Sequence, residues 1–170
     1  MLNDKKLILK GIDKVTDDYE RWINDPEVTK YMETARNMVL TRSELERWLE
    51  KTNKDPNMRY WGIFLDNRQI GTIKLGINWI HSHSDVGIMI GDKSEWGKGF
   101  ASEAIRLVKD YAFNVLGLHR LFAGIYEDNI GSIKAFENNG FIKEGCLKEH
   151  RFFEGKFINQ YLYGCTKEDK

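Results

Sequence analysis

Asp85–Val–Gly–Ile–Met–Ile–Gly–Asp–Lys–Ser–Glu–Trp96–Gly97–Lys98–Gly99–Phe100–Ala101–Ser102–Glu103 is the stretch on which the fold turns. An apolar strand, Val86 to Ile90, runs into a turn broken by Gly97 and Gly99, and the turn opens directly onto a helix. Glycine lets the backbone bend and approach a ligand without a Cβ in the way. The helix that follows starts with unpaired N–H groups and the positive end of its dipole, so the connection suits an anion such as a pyrophosphate. Tight strand-to-helix connections also use glycine for steric reasons alone, so the turn by itself leaves a binding and a structural reading open.

Working outward, residues Ala101 to Leu116 contain no Pro or Gly. Ala101, Ala104, Ile105, Val108, Ala112 and Val115 form one apolar face before Gly117 ends the helix. Upstream, Tyr60 to Leu65, Gln69 to Leu75 and Val86 to Ile90 read as three strands, with a turn at Asp66–Asn67 and a loop around His81 to Ser84. Their tight connections predict an antiparallel meander. Downstream come a strand at His119 to Tyr126, a shorter helix at Asn129 to Asn139 ended by Gly140, and closing strands at Phe141–Ile142 and Phe157 to Gly164.

The N-terminal part reads as a strand at Leu7 to Leu9 and two short helical pieces, Asp17 to Trp22 and Pro26 to Met32, separated at Asn24–Asp25. Thr41–Arg–Ser–Glu44 is a capping box opening a helix whose apolar positions Leu45, Trp48 and Leu49 follow three- and four-residue spacing and which ends before Pro56. The fold class expected is mixed α/β with a mostly antiparallel central sheet.

With 170 residues, 41% of them hydrophobic and 12% aromatic, the chain has enough apolar material for one real core, and no repeat or linker divides residues 1–170. Lys plus Arg and Asp plus Glu number 26 each, so no overall field draws the protein to nucleic acid or to an anionic membrane. The N-terminus lacks the pattern of a signal peptide, and no segment approaches the roughly 18 apolar residues of a membrane span, so a cytoplasmic protein is expected. Cys146 and Cys165 are too few and too far apart for a disulfide framework or a metal cluster; both are expected as buried or semi-buried thiols, and no metal is expected.

Trp96–Gly–Lys–Gly–Phe–Ala101, then a helix, a strand and Asn129–Ile–Gly–Ser132–Ile–Lys–Ala–Phe136–Glu–Asn–Asn–Gly140–Phe141, resembles the GNAT acetyltransferases, and within them the RimJ/RimL-like branch. The likeness extends from Leu7 to about Gly164 and includes Phe141 to Leu147 and Asn159 to Gly164. It implies a GNAT-type sheet with a splayed central strand pair and acetyl-CoA as cosubstrate. The pyrophosphate would lie on the amides of Trp96, Gly97, Lys98, Gly99, Phe100, Ala101 and Ser102, and the pantetheine arm would pair with backbone of Ile88, Met89 and Ile90. Trp96 departs from the Gln or Arg usual in the family, a small loss where backbone N–H groups hold the phosphates. Lys98 reads either as a further electrostatic contact or as an exposed loop lysine.

The resemblance also implies transfer of an acetyl group to a primary amine, which must lose a proton before it attacks. Many GNAT enzymes carry a Tyr as general acid where this chain has Phe136. The RimL-like members carry Ser at the place of Ser132, which is therefore the candidate thiolate partner, with Asn129 and Phe136 beside the CoA sulfur end. Asn129 has an independent role as a helix cap. Arg151 stands where RimL-like enzymes have a Glu base and cannot accept a proton. Asp85 is the leading base candidate, with His81, His83, Glu149 and His150 as alternatives. Trp22, Asn24, Tyr31, Met32, Glu33 and Arg36 fall in the region that closes over the acceptor, and Trp22, Tyr31, Glu33, Arg36, His83 and His150 are the candidate acceptor contacts. Several of these read equally well as core residues of short helices. The resemblance implies as acceptor a protein N-terminal amine of ribosomal-protein type or a small amine such as an amino sugar, with a polyamine or aminoglycoside as the alternative. A CoA-binding sensor without turnover is a different class that Phe136 and Arg151 raise. A homodimer is an expectation of the resemblance alone.

Overall fold

The computed structural model describes residues 7–32, 35–36 and 38–168, so the expectation at Glu33 lies outside the described residues. Among these described residues seven strands, β1 (Leu7–Gly11), β2 (Met58–Leu65), β3 (Arg68–Asn78), β4 (His83–Ile90), β5 (Arg120–Tyr126), β6 (Ile142–Phe153) and β7 (Lys156–Thr166), form one sheet in the order β1-β2-β3-β4-β5-β7-β6. Neighbours are antiparallel except β4 and β5, which run parallel. Among the described residues four α-helices cover the sheet: α1 (Asp17–Ile23), α2 (Arg42–Lys54), α3 (Phe100–Asn114) and α4 (Ile130–Glu137).

Period-2 alternation sorts the central strands into two faces. Ile63 of β2, Ile73 and Leu75 of β3 and Val86 of β4 meet Ala104, Ile105, Val108, Ala112 and Phe113 of α3, making the larger core. The Ile, Leu, Val and Phe side chains among them each gain about 1.5–3 kcal/mol from leaving water. On the opposite face, Val15, Tyr19, Trp22 and Ile23 around α1 and Leu45 and Leu49 of α2 close over Met89, with Tyr60 packed against them. The capping box forms as expected: Thr41 accepts from the Glu44 backbone N–H, and the Glu44 carboxylate accepts from the Thr41 N–H at 2.8 Å.

The pairing of β4 with β5 covers only His83/Arg120, Ser84/Leu121 and Asp85/Phe122. Beyond Phe122 the two strands diverge, β5 staying with β7 along its whole length and β4 staying with β3 as far as Ile90. A gap therefore opens in the middle of the sheet, between Val86 to Ile90 on one side and Ala123 to Tyr126 on the other. This is the splayed pair that the resemblance implied.

Two expectations about local structure change. Residues Pro26 to Met32 form successive turns instead of a helix. The Thr29 N–H reaches back to the Asp25 carbonyl at 3.0 Å, but the Thr29 hydroxyl takes the same carbonyl at 2.9 Å and the Met32 N–H bonds only to Thr29, so no ladder propagates. The short strand expected at Phe141–Ile142 becomes β6, which continues to Phe153. Exposed at almost every position on the outer edge of the sheet, β6 has no apolar alternation to announce it, and its pairing with β7 is interrupted between Lys143 and Gly145 and between Leu147 and Arg151.

Candidate active site

The gap in the sheet is the centre of a cavity of about 730 Å³. Val86, Gly87, Ile88 and Met89 of β4 and Ala123 to Tyr126 of β5 form its waist; Asn129, Ser132 and Phe136 line it on the α4 side, and Tyr19, Leu45, Trp48, Tyr60, Thr72 and Lys74 line it on the α1–α2 side. The cavity thus passes through the sheet and joins two compartments of different chemistry.

On the α3–α4 side, Gly97 (φ 73°) and Gly99 (φ 87°) both take the left-handed conformation that disfavours other residues, and a Cβ at either would meet open space. Backbone conformation, not crowding, is what requires glycine here, and the open space is what an approaching ligand needs. Gly99 caps α3 without any side-chain hydrogen bond, so the first N–H groups of a fifteen-residue helix face outward at the turn. Phe100 and Ala101 pack against the larger core and hold the turn to it. Ser102 accepts at its hydroxyl from Asn139 Nδ2 (3.0 Å), which ties the start of α3 to the end of α4.

Two side chains of the turn have partners within the protein. The Trp96 indole N–H donates to the Ile90 carbonyl at 2.8 Å, so the residue that departs from the usual Gln or Arg links the turn to the end of β4. Lys98 pairs with Glu95 at 3.0 Å, and Arg68 clasps both Glu95 and Asp92. Lys98, then Arg68, hold the Glu95 carboxyl below its ordinary range; the Asp92 carboxyl is lowered first by its hydrogen bond from Ser94 and then by Arg68. The reading of Lys98 as a pyrophosphate contact therefore has to compete with Glu95.

In β4 the alternation of the antiparallel ladder is set by the Gly91 N–H, which donates to the Ile70 carbonyl at 2.9 Å. In that register Thr72/Met89 and Lys74/Gly87 exchange hydrogen bonds, which turns the backbone groups of Ile88 and Ile90 toward the gap. Asn129 caps α4, its side chain accepting from the Ser132 N–H at 3.2 Å, so the cap also fixes the first turn from which Ser132 faces the cavity. Phe136 reaches the cavity but is 2% exposed and packs edge-on against Phe141, 4.9 Å between ring centres. It is a wall, with no group to protonate anything.

The α1–α2 compartment is aromatic and carries charge of both signs. Trp48 meets Tyr60 edge-on at 5.0 Å, and the Tyr60 hydroxyl donates to the Tyr19 hydroxyl at 3.1 Å. Burial pushes Tyr60 well above the ordinary phenol range and Tyr19 upward as well, so both stay neutral around pH 7. Glu44, Asp55 and Asp85 supply carboxylates, and Lys51 and Lys74 supply ammonium groups. Gln160 of β7 lies over Gly124 and accepts from Arg151 Nε at 2.8 Å.

Of the expected acceptor contacts, Tyr31 and Met32 line the cavity, Tyr31 also stacking on Phe153 at 5.2 Å and donating to the Asp128 carbonyl at 3.1 Å. Others lie elsewhere. Trp22 is 4% exposed in the second core, wedged against Gly91 where any Cβ would strike its ring. Arg36 sits over the Phe153 ring and donates to the Phe152 carbonyl at 3.0 Å, behind Tyr31 instead of in the lining. His83 lies where β4 still pairs with β5, against His81 and Phe122, outside the lining. His150 and Glu149 are exposed on β6, away from the lining. Arg151 acts on Gln160 and so orients a cavity residue without lining the cavity itself. Tyr19, Trp48, Tyr60, Thr72, Lys74 and Gln160 were not singled out from the sequence. For Tyr60, Thr72 and Lys74 the signal was the strand alternation, which places them opposite Trp61, Ile73 and Leu75.

Residues 6–142 match the family model described as an acetyltransferase (GNAT) domain. The chain belongs to the GNAT acetyltransferase family. It is 32% identical over 152 residues to an uncharacterized N-acetyltransferase, p20, of Bacillus licheniformis, covering 86% of this chain and 84% of that protein. It is 35% identical over 89 residues to a spermidine N(1)-acetyltransferase of Vibrio cholerae, covering 52% of this chain and 51% of that protein. Among solved structures, spermidine N-acetyltransferase from Vibrio cholerae in complex with CoA and spermine superposes with a TM-score of 0.85 at 26% identity over 96% of both chains. This GNAT domain is an acetyl-CoA-dependent N-acetyltransferase. Its glycine turn, uncapped helix start and splayed β4 backbone are the features that fit acetyl-CoA. Among the described residues no group of three or more His, Cys, Asp or Glu could hold a metal ion, and no helix is long and apolar enough to cross a membrane.

Proposed function

We propose that the protein acetylates a small primary amine of polyamine type. The observation that carries this reading is the through-sheet cavity, which runs from Asn129, Ser132 and Phe136 on the α4 side to a compartment lined by Trp48, Tyr60, Tyr19 and three carboxylates. Aromatic faces and carboxylates attract ammonium groups, while Leu40, Leu45, Met58 and Met89 suit the methylene spacers between them. Glu44 and Asp55 stand at opposite ends of α2, about 16 Å apart at 1.5 Å per residue, a length suited to an extended chain with several ammonium groups. The likeness to spermidine acetyltransferases supports the same acceptor class.

In this reading the pyrophosphate sits on the N–H groups between Gly97 and Ser102 and the pantetheine arm runs along Ile88 to Ile90. The neutral amine attacks the thioester carbonyl at the waist, where a β4 N–H stabilises the oxyanion. Asp85 takes the amine's proton directly or through water, and Ser132 donates to the leaving thiolate, the part that Phe136 has no group for. A second acceptor, a peptide α-amine, rests on the resemblance of Asn129 to Phe141 to the RimJ/RimL-like branch.

Free-thiol release from acetyl-CoA, measured with spermidine, spermine, ribosomal-type N-terminal peptides, aminoglycosides and amino sugars, tests the reading. Turnover highest with the polyamines is expected. Preference for a peptide moves the acceptor to the second class, and tight CoA binding with no turnover of any amine returns the sensor.

A further inference from the structure

The floor of the acceptor compartment carries an ion pair laid flat on the sheet. Lys74 of β3 and Asp85 of β4 both face the cavity, with Lys74 Nζ 3.8 Å from Asp85 Oδ2. They are diagonal neighbours: Lys74 is opposite Gly87, and Asp85 is opposite Gly76. A Cβ on Gly87 would come within 2.6 Å of Lys74 Cε, and one on Gly76 would collide with the Asp85 carboxylate. Each side chain thus crosses the sheet over the other strand's glycine. The two glycines leave room for the pair to lie across the floor of the cavity instead of standing up into it.

The pair is loose. At 3.8 Å it is an ion pair without a direct hydrogen bond, and the side chains are 41% and 42% exposed. Exposed pairs of this kind are held weakly and exchange partners at little cost. Asp85 is also the carboxylate at the waist, next to the point where β4 and β5 part.

We infer that Lys74 is a positioning residue that occupies Asp85 until an acceptor ammonium displaces it. The inference rests on the amine-acceptor reading above. An acceptor ammonium takes the place of Lys74 Nζ at the Asp85 carboxylate, and Lys74 swings aside on its flexible stem. Lys74 therefore keeps the carboxylate from holding small cations in general, and every amine that binds there gives up the same cost of displacing it. It is a positioning residue that acts through Asp85; no bond is made or broken at Lys74.

The test uses the full chain loaded with CoA, titrated calorimetrically with spermidine and with propylamine, alongside the spermidine KM and kcat for acetylation. Lys74→Met should tighten spermidine Kd and lower KM by about 1.4- to fivefold, the range that an exposed ion pair spans, and should tighten propylamine by a similar factor. KM should move more than kcat. Lys74→Arg should restore the parent values. Asp85→Asn should weaken spermidine binding, and adding Lys74→Met to it should have no further effect. Unchanged or weaker spermidine binding in Lys74→Met, with CoA affinity retained, overturns the inference, as does spermidine binding by neither protein. Absence of amine turnover by the parent overturns the acceptor reading separately, since the titration reads Lys74 without turnover.

Discussion

The Trp96 indole N–H donates to the carbonyl of Ile90 at 2.8 Å, joining the last residue of β4 to the entrance of the glycine turn. The two segments that would hold opposite parts of the cosubstrate, the β4 backbone and the amides before α3, are thereby fixed to each other. Trp96→Phe keeps an aromatic ring, though a smaller one, and removes the donor. Losing one such bond costs about 0.5–1.5 kcal/mol, so a small drop in denaturation midpoint and a few-fold rise in the acetyl-CoA KM are expected, with the acceptor KM unmoved. An acceptor KM that rises with it would show that the bond organises more than the turn.

Gly99 separates conformation from contact. Its φ of 87° with open space around a built Cβ means that Gly99→Ala brings strain and no collision. Holding a non-glycine residue in the left-handed region costs roughly 1–2 kcal/mol. Either the protein accepts that loss, or the turn relaxes and its N–H groups no longer converge. Calorimetric CoA titration with thermal denaturation tells the two apart, and weakened CoA binding that exceeds the stability loss is the expected result.

What the sequence makes legible here is local. The capping box at Thr41, the apolar face of α3, and the glycines at 97 and 99 are each written within a few residues, and each appears in the structure. The gap between β4 and β5 has no local signature; the resemblance implied it because the family shares it. Trp22 looked equally like core and acceptor wall because its partner, Gly91, lies far along the chain. Gln160 enters the cavity only because Gly124 leaves room for it on the neighbouring strand, a cross-strand fact with no sequence pattern. Of β6 only the start, at Ile142, is legible, because an edge strand exposed along most of its length has no buried face to impose alternation.

Acid should loosen the approach to the glycine turn. Glu95 is 8% exposed at its side chain and bridged by Lys98 and Arg68, which lower its carboxyl from the ordinary value of 4.5. A carboxyl lowered on folding adds stability that is fully present above its unfolded value and is lost as pH falls through the folded one. Stability should thus fall more steeply below about pH 4.5 in the parent than in Glu95→Gln, whose loss is already present at neutral pH. Denaturant melts between pH 3 and pH 7, fitted for both proteins, check this; parallel curves would remove Glu95 from the acid response.

Ser132 and Asn129 share one helix start, and their variants should separate chemistry from capping. Ser132→Ala leaves the Ser132 backbone N–H on the Asn129 side chain, so α4 keeps its cap. If Ser132 protonates the leaving thiolate, kcat should fall about a hundredfold, the lower end of what a positioned acid contributes, while CoA affinity and melting temperature hold. Asn129→Ala removes the cap itself, at about 1 kcal/mol, and should lower stability and turnover together by shifting the turn that presents Ser132. Turnover in Ser132→Ala close to that of the parent would mean that the thiolate takes its proton from water, and that the hydroxyl at this position only lines the wall.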